Sequence, residues 1–284
     1  MLRIRTPFLT TLALIAFAGN SLFCRLALKT TSIDATSFTT IRLISGSLVL
    51  WLILQFRGGQ IKQEGNWTSG MALFVYAAGF SFAYRSLPTA TGALLLFGAV
   101  QATMIGFGIW AGERFLKVQF MGLVIAFSGI IVLLLPGISA PPLQGSLLML
   151  CAGTAWGVYS LRGKGQGDPV RVTAGNFLRA APLSIVLSLF MFDSATLDRS
   201  GFWYAVLSGA LASAIGYCIW YTALPSLKAT NAATVQLSVP VIAAAGGIVF
   251  LGETITVRLF LASIAILGGI AMVVMKRQPA QNSK

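Results

Sequence analysis

Apolar residues come in runs of about twenty, separated by short polar breaks, at 7–27, 36–56, 67–84, 89–110, 116–136, 143–161, 173–192, 202–222, 229–251 and 257–275. A helix rises 1.5 Å per residue, so a run of about 20 crosses the ~30 Å hydrocarbon core of a bilayer. Barrel strands would read as ~10-residue alternations of apolar and polar positions, a pattern this chain does not show. The pattern predicts an all-α polytopic membrane protein with ten transmembrane helices. The connections are short and leave no stretch for a water-soluble domain.

Composition agrees. The chain is 56% hydrophobic and 10% charged, against about 25% charged in soluble domains, so lipid must cover most of its surface. The first run follows Arg3 and Arg5 as in a signal peptide, but it is too long and has no A-x-A site. Phe23 before Cys24 also argues against a lipoprotein site, and a retained first helix is expected. The net charge of +13 comes from single basic residues at the ends of runs. They form no patch for nucleic acid. With the N-terminus in the cytoplasm, thirteen basic residues fall on the cytoplasmic side. Five (Arg25, Lys29, Arg85, Arg199, Arg258) fall on the other. That bias predicts a cytoplasmic (inner) membrane protein with both termini cytoplasmic.

The chain also repeats itself. At an offset of 137, AFAGNSLFCR (16–25) lies over GTAWGVYSLR (153–162), and FTTIRLISGSLVL (38–50) over GNFLRAAPLSIVL (175–187). Arg42 thus matches Arg179, and YRSLP (84–88) matches YTALP (221–225). After a three-residue insertion the offset becomes 140, pairing Gly112-Glu113 with Gly252-Glu253 and Gly129 with Gly269. The expected units are 1–138 and 139–284. Each holds five helices, an odd number, so the two repeats must be inverted. Inverted repeats place a substrate site near the midplane between the halves, and rocking about it gives alternating access.

Ten helices in a five-plus-five repeat, AWGVY on the sixth helix, YxxLP closing the third and eighth, and Pro240 thirteen residues before Glu253 together resemble the EamA-type exporters of the drug/metabolite transporter superfamily. The resemblance implies efflux of small metabolites, often amino acids or related amphipathic compounds. It also implies a central cavity bounded by helices one, three, four, six, eight and nine, with five and ten peripheral. Val100 stands opposite Pro240, so a proline hinge is expected only in the second half.

Several residues could line a substrate pathway. Arg42 and Arg179 lie about six residues inside their runs, ~9 Å below opposite interfaces. Charge at that depth points to an anionic substrate group or to a tie onto a neighbouring helix end. Asn20 on helix one, Gln101 on helix four, Trp156 and Tyr159 on one face of helix six, Tyr217 on helix eight and Gln236 on helix nine offer polar points in an apolar pocket. The alternative roles are interhelical hydrogen bonds for the amides and an interfacial belt for the aromatics. Trp220 and Tyr221 lean towards the belt. Glu113 and Glu253 are expected to cap the next helix along the chain in each case. Gly108-x3-Gly112 and Gly153-x3-Gly157 are expected to let helices approach closely.

The expected partners are a small-molecule substrate and the lipid bilayer, with a homodimer left open. Nothing implies a cofactor or metal: the chain has no Walker A sequence, and its lack of His removes zincin and Ser-His chemistry. Cys24, Cys151 and Cys218 sit in apolar runs and read as small hydrophobes. An intramembrane enzyme would need paired carboxylates or an activated nucleophile at depth. That leaves it, with a channel-like facilitator, as an alternative to the transporter.

Overall fold

The computed structural model describes residues 2–57, 64–112, 116–163, 167–227 and 235–275. Ten helices succeed one another: α1 (Leu2–Thr30), α2 (Ala35–Phe56), α3 (Trp67–Tyr84), α4 (Thr89–Trp110), α5 (Lys117–Leu134), α6 (Leu143–Gly163), α7 (Pro169–Phe190), α8 (Arg199–Ser226), α9 (Ser238–Leu251) and α10 (Val257–Met275). Seven are long and apolar enough to cross a membrane, and the 14-residue α9 is a shorter apolar helix. α1 begins and α10 ends on one side of the bundle, here the terminal face; the other side is the opposite face.

The breaks between helices carry their own stop and start signals. Asp34, Asn66, Asp168 and Asp198 accept hydrogen bonds from the first-turn amides of α2, α3, α7 and α8, satisfying donors that a helix start leaves open. Gly112 (φ 88) and Gly252 (φ 62) lie in the left-handed region just past α4 and α9, a conformation that favours glycine. The expected packing role of Gly112 is therefore corrected: a Cβ there would meet open space. Gly153 and Gly157 do pack closely, facing Leu96, Ala99 and Thr103 of α4.

Packing obeys the inverted repeat. α3 lies on α6 and α7 as α8 lies on α1 and α2, and α4 meets α6 as α9 meets α1. The result is two four-helix bundles, α1-α2-α8-α9 and α6-α7-α3-α4, each drawn from both sequence halves. α2 meets α7 and α4 meets α9 between them, with Thr40 Oγ1 donating to the Ser184 carbonyl at 3.0 Å. α5 and α10 pair with each other at the periphery, where Gly122 meets the Gly269 carbonyl and Gly129 meets Ala265. Gly98 of α4 faces Ile266 of α10 and Ile130 of α5.

Two helices are irregular. Within α8, Leu207–Ile215 forms π turns, a form that recurs at functional sites. Before α9, Val235 and Gln236 are helical, Leu237 is a turn, and the helix resumes at Ser238. Pro240 lies just inside that new start. It has no N–H to offer the carbonyl of Gln236, so the break falls where proline places it.

Candidate functional site

A polar cluster inside the bundle is built on Arg42, which is 1% exposed. Seven residues separate it from the start of α2, a depth of ~10 Å. Its Nε donates to Ser213 Oγ at 3.1 Å and its Nη2 to Tyr76 Oη at 3.1 Å, with a longer 3.5 Å contact to Tyr217 Oη. The guanidinium also lies 5.0 Å from the ring centres of Tyr76 and Phe80. Nη1 has no partner, and among the described residues no carboxylate pairs with this charge.

Asn20 extends the cluster. Its Nδ2 donates to Tyr76 Oη at 3.0 Å, and its Oδ1 accepts from Ser208 Oγ at 2.6 Å. Ser208 and Ser213 both come from the π turns of α8. Gly209 sits between them against the Arg42 carbonyl and Ser45 Oγ, letting α8 approach α2 closely.

Aromatic rings enclose this polar core. Trp156 lies 4.9 Å from Tyr76, 4.7 Å from Tyr217 and 5.3 Å from a stacked Tyr159, and Phe17 lies edge-on to Trp156 and Trp220. Trp220 and Tyr221 are therefore interior residues, 4% and 9% exposed. They do not belong to an interfacial belt, because the close approach of α8 to α1 turns its last turns inward.

The repeat explains where Arg42 reaches. At the 137-residue offset Tyr76 and Ser213 are counterparts, as are Phe80 and Tyr217. Arg42 touches both members of both pairs, which puts its guanidinium on the pseudo-two-fold axis between the halves. Arg179, its own counterpart, does not join it: Nη1 donates to the Glu64 carbonyl at 3.1 Å and the Gly175 carbonyl at 2.8 Å. Glu64 lies just before α3, whereas its counterpart Gly201 lies inside α8, so only the first half offers a free carbonyl there. Asn176 Oδ1 accepts from the Asn66 amide at 3.1 Å and fixes the same loop.

The structure thus brings Asn20, Arg42, Trp156, Tyr159 and Tyr217 together and leaves three candidates apart. Arg179 ties the α2–α3 loop. Gln101 is buried on α4 with Nε2 unpartnered, and Gln236 is half-buried in the helical segment just before the Leu237 turn. Sequence reasoning missed Tyr76, Phe80, Ser208 and Ser213. The repeat held a usable signal, since Tyr76 and Ser213 are offset partners of each other and Phe80 is the partner of Tyr217. The helix set implied by resemblance also omitted α2, which supplies the central charge.

The opposite face is closed by an ion pair that joins α1 to the end of α9 within one bundle, and by two hydrogen bonds that run from this pair to the other bundle. Arg25 Nε pairs with Glu253 Oε1 at 3.2 Å and Arg25 Nη1 donates to the Tyr84 carbonyl at 2.8 Å. Glu253 Oε2 accepts from the Thr89 amide at 2.7 Å. Glu253 therefore caps α4 of the other half rather than α10, which corrects the expectation; α9 and α4 end and begin side by side there. Glu113 lies outside the described residues. A cavity of about 220 Å³ adjoins this closure, lined by Pro88, Thr91, Pro141, Glu253 and Thr256 among others. In the nearby loops Asp34 Oδ2 accepts from the Thr196 amide at 2.8 Å. Burial raises the Asp34 carboxyl, but hydrogen bonds from Ser37, Thr196 and Thr36 outweigh it and hold its pKa below the usual carboxylate value.

An all-helical bundle with inverted halves and a buried polar site on their shared axis defines a multi-pass membrane transporter. The EamA-like transporter family matches residues 5–135 and again 143–275, and the chain belongs to that family. An uncharacterised Pseudomonas aeruginosa protein is 54% identical over 274 residues, 96% of each chain. The threonine/homoserine exporter RhtA of Escherichia coli is 26% identical over 245 residues, 83% of this chain and 80% of that one. A solved crystal structure superposes with a TM-score of 0.65 at 21% identity, covering 92% of this chain and 96% of the other. That match speaks for the fold alone.

Proposed function

We propose that the protein exports small amphipathic metabolites, amino acids or close relatives of them, across the inner membrane by alternating access. The carrying observation is the position of Arg42 between two pairs of repeat counterparts, Tyr76/Ser213 and Phe80/Tyr217. A site on the pseudo-two-fold axis faces either side equally when the halves exchange conformations. Relationship to an exporter of threonine and homoserine supports the substrate class. The mechanism needs two closures that alternate. The hydrogen bonds of Arg25 to the Tyr84 carbonyl and of Glu253 to the Thr89 amide supply the one at the opposite face, which this reading assigns to the periplasm, with both termini in the cytoplasm.

The test is flux from proteoliposomes loaded with an amino-acid and organic-acid panel, paired with thiol labelling of single cysteines placed towards each face. Export of at least one class, with labelling that shifts from one face to the other on adding it, is expected. Ohmic current with simultaneous access from both faces would make the protein a channel and end this reading.

A further inference from the structure

Arg42 is a full charge in a water-poor interior, held by hydroxyls and rings, with Nη1 left without a partner. Neutral hydroxyls disperse such a charge but do not neutralise it, and a buried unpaired cation is costly. The missing group is an anion, and the fork of a guanidinium suits a carboxylate. An ammonium finds no equivalent partner. The six acidic residues among the described ones all lie in loops or at helix ends. The same distribution leaves no carboxylate within a described span to carry a proton back across the membrane.

We propose that the substrate is a small organic monoanion whose carboxylate docks on Nη1 of Arg42, carried without a compensating proton so that each cycle moves one negative charge. The proposal rests on the transporter reading and places its substrate among the carboxylate relatives of amino acids that lack the ammonium, not among the zwitterions. The rings of Trp156, Tyr217 and Phe17 accept the apolar remainder of the molecule. Tyr76 and Ser213 hold the guanidinium flat and in place when the anion leaves. An inside-negative potential then drives the substrate outward.

The experiment uses full-length protein in proteoliposomes with a potassium diffusion potential. Phenylacetate and 2-hydroxybutyrate serve as anions, their amides as neutral isosteres and leucine as a zwitterion. The carboxylates should move and the amides should not. At ~100 mV the carboxylate should approach a ratio of about fifty-fold between compartments, the conversion for one elementary charge. Arg42→Lys should slow flux at least ten-fold and Arg42→Gln should abolish it. Should Arg42→Gln fail to fold, thermal stabilisation of the parent protein in detergent by phenylacetate but not by phenylacetamide carries the same information. Leucine flux indifferent to potential, or equal flux of acid and amide, overturns the proposal and leaves the transporter standing. No flux of any compound overturns both.

Discussion

Tyr76 is the residue on which the central network turns, since its hydroxyl serves Asn20 and Arg42 at 3.0 and 3.1 Å. Tyr76→Phe removes that acceptor from two buried donors and should cost about 1–3 kcal/mol, the penalty for stranding buried polar groups. Tyr217→Phe removes only the 3.5 Å contact and should cost less. Thermal unfolding of the two variants in detergent orders them, and a larger loss for Tyr217→Phe would contradict the network as drawn. Gly209 is the other sensitive point, because a Cβ there would run into the backbone of α2 at Arg42. Gly209→Ala should lose about 1–3 kcal/mol through overpacking, visible as a lower unfolding midpoint with the hydroxyl network intact. At this scale the sequence exposed Arg42 by its charge and Asn20 by its depth, because both break an apolar run. Ser208 and Ser213 were invisible for the opposite reason. Small hydroxyl residues are common in membrane helices, and only the π turns, which no local pattern announces, aim both of them at the cluster.

Helix ends on the opposite face are joined by carboxylates that serve two elements at once. Glu253 neutralises Arg25 and caps α4, so Glu253→Gln weakens the proposed closure at both points while keeping the volume of the side chain. Cys24 is fully buried one residue from Arg25. With Cys151 and Cys218 replaced by serine, Glu253→Gln should raise the labelling rate of Cys24 by an impermeant maleimide added at the opposite face. An unchanged rate would show that the tie does not govern access. Asp34 joins the α1–α2 and α7–α8 loops by comparable means. Its folded pKa lies below the unfolded value near ~3.9, so its contribution is complete above that value and fades as pH falls through the lower folded pKa. Unfolding midpoints from pH 6 downward should therefore fall more steeply for the parent than for Asp34→Asn, the two converging in acid. Element boundaries were the most legible part of the chain, as length and polarity set them directly. The partner of each cap was not. Glu253 looked bound for α10 because α10 is its neighbour in the linear chain, whereas α4 becomes its neighbour only through the fold.

Under the proposed alternating access, the bodies that would move are not the two sequence halves. α3 packs on α6 and α8 on α1, so each half lends two helices to the other's bundle, and the proposed rocking would run between α1-α2-α8-α9 and α6-α7-α3-α4. The central network obeys this division: Arg42, Asn20, Ser208, Ser213 and Tyr217 lie on the first bundle, Tyr76, Phe80 and Trp156 on the second. Substrate binding at their seam would therefore bias the seam itself, which is what coupling requires. The repeat was readable from offsets of 137 and 140, but the exchange of helices was not, since nothing in a linear repeat says whether its copies pack separately or interleave. Two cross-links separate the cases. The Cβ positions of Gly247 and Thr89 approach 3.1 Å across the seam between α9 and α4, and those of Gly216 and Ala16 approach 2.9 Å within one bundle; both are close enough for a disulfide after slight adjustment. In a background lacking the native cysteines, Gly247→Cys with Thr89→Cys should stop flux when oxidised and regain it on reduction, because the opposite face is then locked shut. Gly216→Cys with Ala16→Cys joins α8 to α1, which travel together, and should leave flux within about two-fold of the reduced protein. If the sequence halves were the rigid bodies, the α1–α8 link would cross their boundary and stop transport as completely as the first.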